Sequence, residues 1–165
     1  MISLSALLWM LVAMFALMGL MRGFGKEVLV TSSLILAVFI IAVVLPMLPI
    51  AGDDQRQFLV RGAVLVLCAV AGYQSQRLQR ISDALTKARW RNNLLGLLLG
   101  GINGYLLIGS LLYYLHQFNY PFAFITPPGP ELTNLLPFML PQWLVGLWMY
   151  IAIAVALLMI LVLFV

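Results

Sequence analysis

Charge is what this sequence has least of. Only 8% of its 165 residues are Asp, Glu, Lys or Arg, against roughly a quarter in an ordinary soluble domain, while 64% are hydrophobic. A water-soluble fold of this length could not hide so much apolar surface, so the solvent must be lipid. Cysteine is nearly missing. Cys68 stands alone inside an apolar run, which excludes a disulfide framework and a cysteine metal site. Histidine is reduced to His116, so there is no paired-imidazole ligand set, and no phosphate loop or nucleophile with a base in reach is visible. All five acids (Glu27, Asp53, Asp54, Asp83 and Glu131) fall in connectors or at the ends of apolar runs. A proton-coupled carrier needs an ionisable group at mid-membrane depth, and spans one, two, four and five offer none. These absences argue against an enzyme or an autonomous pump, and no catalytic, cofactor-binding or metal-ligating residue is assigned.

The basic residues are few but ordered. Seven of the nine Lys and Arg lie in two short connectors, Arg22–Glu27 and Gln74–Arg91, and none follows Arg91. Basic side chains are held on the cytoplasmic face during insertion, so the pattern carries topology. It also removes the nucleic-acid reading that a net charge of +4 invites, because the charges form insertion signals rather than a surface stripe. The first apolar stretch has its first basic residue after it, the reverse of a secretory signal, so it reads as a retained span.

Five apolar stretches follow one another: Leu4–Met21, Val28–Leu45, Phe58–Tyr73, Leu94–Leu115 and Trp143–Val165. The last two would cover about 33–35 Å as helices, enough for a hydrocarbon core of about 30 Å with some tilt. The second stops at Pro46 and Pro49. The third is short and carries Arg61, whose long side chain is expected to snorkel to the headgroups. Parity settles its status. If it did not cross, five basic residues of the second connector would be translocated; if it crosses, both clusters share one side. The expectation is an all-α polytopic bundle of about five transmembrane helices, with an outside N-terminus and a cytoplasmic C-terminus. The intervening segment 116–142 is aromatic and proline-rich, and Leu135–Leu140 is expected to dip into the membrane interface.

Three local patterns stand out. In Arg22-Gly23-Phe24-Gly25-Lys26-Glu27, two glycines permit a tight reversal, and Arg22 and Glu27 each face the favourable pole of a helix dipole. This reads as a turn that sets topology, or as a site for a partner or lipid headgroup. Gly96, Gly100 and Gly104 recur every four residues, so they share one helix face and admit another backbone, from this chain or a second one. Arg77–Arg91 projects as a cytoplasmic amphipathic helix, with Arg77, Arg80, Lys87 and Arg91 on one side and Leu78, Ile81, Leu85 and Ala88 beside them. Such a helix suits the anionic inner leaflet.

Taken together, the Arg-Gly-Phe-x-basic-Glu turn (Arg22, Gly23, Phe24, Lys26, Glu27) and the Leu-Gly-x3-Gly-x3-Gly opening of the fourth span (Leu95, Gly96, Gly100, Gly104) resemble the colicin V production family of bacterial inner-membrane proteins. The agreement runs from Met1 to about Leu115. Where that family usually carries a basic residue just before the last glycine, this chain has Asn103. The resemblance implies a four-span region over residues 1–115; the outer connector 116–142 and the fifth helix over 143–165 lie outside the part it covers. It also implies a non-enzymatic role in peptide export or envelope homeostasis, without a cofactor. Two other readings stay open: an accessory subunit of a respiratory or photosynthetic complex, and a passive channel or small-molecule exporter. Membrane lipids and other transmembrane chains are the expected partners.

Overall fold

The computed structural model describes residues 3–49, 52–74, 89–122, 125 and 129–164, and those residues fold entirely as helices and connectors. Helix α1 spans Leu4–Arg22, with the Ser3 hydroxyl accepting the Ala6 amide as its N-cap. A single residue, Gly23, separates it from α2, Phe24–Phe39. The backbone of α2 continues through one widened turn, Ile40–Val44, and one tightened turn, Leu45–Met47. Pro46 accounts for the ending, since it lacks an amide donor and its ring crowds the carbonyl four residues back.

Helix α3 runs Asp54–Gln74 and α4 runs Arg89–Gln117. Both are longer than the apolar stretches that mark them. The expected basic face falls mostly outside the described residues: Arg77, Arg80 and Lys87 lie there, while Arg91 is exposed in the first turn of α4 rather than on a separate surface helix. Helix α4 ends where Asn119 and Tyr120 both take left-handed backbone conformations.

Short helices α5 (Pro130–Thr133) and α6 (Leu140–Trp143) flank a tight turn, Leu136–Phe138. They do not simply rest in the interface. Leu132, Leu136 and Met139 are buried in a cluster with Leu8, Leu112 and Leu115, so the segment plugs the ends of α1 and α4. The last helix, α7, covers Leu147–Phe164. Its start differs from the expected Trp143 because Gly146 takes a left-handed conformation and breaks the chain between α6 and α7. Four helices (α1, α2 with its extension, α3 and α4) are long and apolar enough to cross a membrane, and α7 is a shorter apolar fifth.

Helix α1 lies mainly along α4, while α2 touches α3, α4 and α7. Half of the apolar stretch of α2 is buried, against 11% of those in α1 and α3, which places α2 at the centre and those two at the rim. The core joins Val30, Leu34, Val38 and Ile41 of α2 to Leu65 and Ala69 of α3, Leu107 and Tyr114 of α4, and Met149 of α7.

Candidate functional site

The turn between α1 and α2, the end of α3 and the start of α4 meet at one end of the bundle. Gly23 makes the reversal possible. Its φ of 84° is open to glycine at little cost, and its amide closes α1 by donating to the Gly19 carbonyl at 2.9 Å. A side chain there would also strike the Asn92 carboxamide. Gly25 plays no such part, because it lies inside α2. The Phe24 amide, one of the donors left open at the start of α2, is taken by Asn92 Oδ1 of α4 at 3.0 Å.

Arg22 is more than an insertion signal. Its Nη2 donates to the Tyr73 carbonyl at 2.6 Å, satisfying an acceptor in the last turn of α3. Its guanidinium carbon lies 4.3 Å from the centre of the Tyr73 ring, a cation–π contact across the same junction. Lys26 points outward and is exposed.

Glu27 behaves unlike the acid of a solvated turn. It is 0% exposed, one turn into α2. Asn103 of α4, also 0% exposed, donates its Nδ2 to Glu27 Oε2 at 2.9 Å and to the Glu27 carbonyl at 2.9 Å. The Thr31 hydroxyl donates to Asn103 Oδ1 at 2.7 Å, with the Glu27 carbonyl as a second acceptor at 3.1 Å. The Glu27 carbonyl fixes which way round the amide sits, because it can only accept and so takes Nδ2, which leaves Oδ1 for the Thr31 hydroxyl proton. Among the described residues, Glu27 Oε1 and the Tyr73 hydroxyl are buried without partners. The reading of all five acids as lying in connectors or at span ends therefore misses the burial of this one.

The glycine face of α4 is occupied by α1 of the same chain. A Cβ on Gly96 would collide with the Gly19 carbonyl and reach Gly23 Cα at 2.9 Å. One on Gly100 would meet Phe15 O at 2.6 Å and Gly19 Cα at 2.8 Å, and one on Gly104 would meet Phe15 Cβ at 2.7 Å. The obstacles at Gly96 and Gly100 are backbone atoms, which cannot rotate away. Gly101, one position round the helix, differs: its Cβ would sit 3.4 Å from Ala16 Cβ, an ordinary contact. A second close crossing uses Gly72 of α3 against Val30 and Ser33 of α2. In lipid no hydrophobic force draws spans together, so such backbone approaches and polar tethers determine which faces meet.

The opposite end holds the remaining candidates. Arg61 turns back one turn along α3 to donate to Gln57 Oε1 at 2.6 Å, and its guanidinium lies 4.7 Å from the Phe118 ring centre. It is half-buried, with its guanidinium over that ring. His116 is exposed, with Nδ1 3.2 Å from the Tyr120 hydroxyl. Burial raises the Tyr120 phenol above its ordinary value. Cys68 is a free, half-buried thiol.

Tyr73, Asn92, Asn103 and Thr31 escape the motif reading. Asn103 carried the strongest signal, a carboxamide inside an apolar run, where a polar side chain needs a partner. The acceptor could not be named from sequence because Glu27 lies 76 positions away.

A helical bundle of this kind, with apolar rims and its charged groups kept to its two ends, defines a small multi-pass membrane protein. The chain belongs to the colicin V production protein family, whose profile matches residues 4–131. The match takes in all four long helices and the aromatic part of the connector, further than the agreement up to Leu115 suggests. No curated protein and no solved structure matches the chain.

Proposed function

We propose that this chain is a non-enzymatic assembly protein of a bacterial inner membrane, serving peptide export or envelope homeostasis by organising other transmembrane chains. One observation carries the reading: two charged side chains of the turn motif, Arg22 and Glu27, fasten helices to one another. Arg22 joins α1 to α3, and Glu27 joins α2 to α4. A binding or catalytic centre would leave such groups facing a cleft. The position of the basic connectors supports an N-terminus outside and a cytoplasmic C-terminus, since Arg22, Lys26, Arg89 and Arg91 flank the same end of the bundle. Anionic lipids of the inner leaflet are the natural counter-surface there.

Deletion of the gene tests the role. The expected phenotype is sensitivity to bile acids or membrane-active peptides with respiration and photosynthesis unchanged, restored by the wild type. Loss of respiration or photosynthesis, with co-migration in one large complex after mild detergent extraction, would replace this reading by an accessory-subunit role. A cysteine at Lys26 that reacts with an impermeant thiol reagent added outside intact cells would reverse the orientation.

A further inference from the structure

We propose that Glu27 is a proton-binding site, and that proton uptake fastens the basic end of the bundle. This stands apart from the export or envelope reading. It begins with the hydrogen-bond inventory of a carboxyl that is 0% exposed. An ionised carboxylate inside an apolar bundle needs several donors or a cation. Here Oε2 receives one amide hydrogen from Asn103, and Oε1 receives nothing.

The neighbouring groups cannot make up the shortfall as they stand. The single hydroxyl proton of Thr31 is spent on Asn103 Oδ1, with the Glu27 carbonyl as its other acceptor. From α1, Arg22 lies within electrostatic reach, but its guanidinium is committed to the Tyr73 carbonyl and ring. Lys26, the adjacent residue on α2, is exposed, and α4 faces the carboxyl with the neutral Asn103. From α3, Tyr73 lies within electrostatic reach of both Glu27 and Arg22, and its hydroxyl is the other unpartnered buried oxygen at this end. Among the described residues these are the titratable and charged groups that face the site.

A proton from water, placed on Oε1, removes the uncompensated charge. It also turns a bare acceptor into a donor, and a side-chain rotation that brings the Tyr73 hydroxyl to it satisfies both orphan oxygens at once. A proton held in the packed bundle and shed on unpacking makes stability fall as pH rises.

Infrared difference spectra of the full chain in lipid bilayers, taken from about pH 4 to about pH 9, test this. The wild type should show a protonated-carboxyl C=O band that fades as pH rises and is missing from Glu27→Gln. Thermal unfolding should lose stability with rising pH in the wild type only. Glu27→Gln should keep the low-pH stability throughout, because the amide imitates the protonated acid. Tyr73→Phe, which deletes the acceptor, should move the midpoint of the band toward acid. Identical difference spectra for wild type and Glu27→Gln would overturn the proposal. So would a Glu27→Gln chain that fails to assemble while the wild type gains stability toward alkaline pH.

Discussion

The two ends of this bundle are built by different physics. At the basic end, helices separated by up to 76 positions are tied by directional contacts: Arg22 to Tyr73, Phe24 to Asn92, Glu27 to Asn103. At the proline-rich end the buried contacts are apolar, with Leu8, Leu112, Leu115, Leu132, Leu136 and Met139 in one cluster. Two polar contacts there are local, Arg61 with Gln57 and His116 with Tyr120, each four residues apart, and the long-range one from Ser5 to Glu131 is exposed. The difference follows from the solvent each end replaces. Spans that leave lipid for one another gain no hydrophobic free energy, so they need close backbone packing and hydrogen bonds to choose partners. A connector that leaves water gains from burying leucine and methionine, and needs no directional contact to do so.

Substitutions can break that comparison at graded cost. Gly100→Leu should have the largest effect, about 3 kcal/mol or more, because its side chain must displace the backbone of Phe15 and Gly19. Thermal unfolding in lipid would measure it, with Gly101→Ala as the control that stays within about 1 kcal/mol of wild type. If the two behave alike, backbone approach is not what joins α1 to α4. Met139→Ala, at the other end, should cost about 2–3 kcal/mol by emptying a buried apolar position. Proteolysis of the 129–143 segment should rise with it while the α1–α4 crossing persists, a split that disulfide trapping between those helices would detect. Asn103→Leu comes next, at about 1–2 kcal/mol, since it strips the Glu27 carboxyl of its one donor and leaves Thr31 to find another acceptor. The double variant with Glu27→Leu should recover much of that loss, and a cycle with no coupling would deny the tether. Leu158→Ala on the exposed side of α7 should change stability by less than about 0.5 kcal/mol, since that side chain leaves lipid in neither state.

Much of the architecture was legible in the chain. Runs such as Leu4–Met21 and Leu94–Leu115 announce helices of spanning length, and parity places the ends of the first and third spans together, as they lie in the fold. Gly96, Gly100 and Gly104 declare a face made for close approach. They do not declare what approaches, because Gly19 shows no repeat of its own and Phe15 looks like any apolar residue. The start of α7 was misplaced because the apolar run continues through Gly146, and hydropathy is blind to a left-handed backbone. The leucines of the outer connector looked fit for an interface, and only the folding back of that segment puts Leu136 and Met139 inside.

From residue order alone come the lipid environment, the helical class, the shared side of the basic connectors and the tightness of the Arg22–Glu27 turn, since each depends on composition or on neighbours a few residues apart. The three-dimensional packing decided that Glu27 is buried, that Asn103 holds it, that Arg22 closes α3 and that the glycine stripe is filled by α1. Those facts rest on which helix face meets which, and in lipid that choice is made by contacts between residues far apart in the chain.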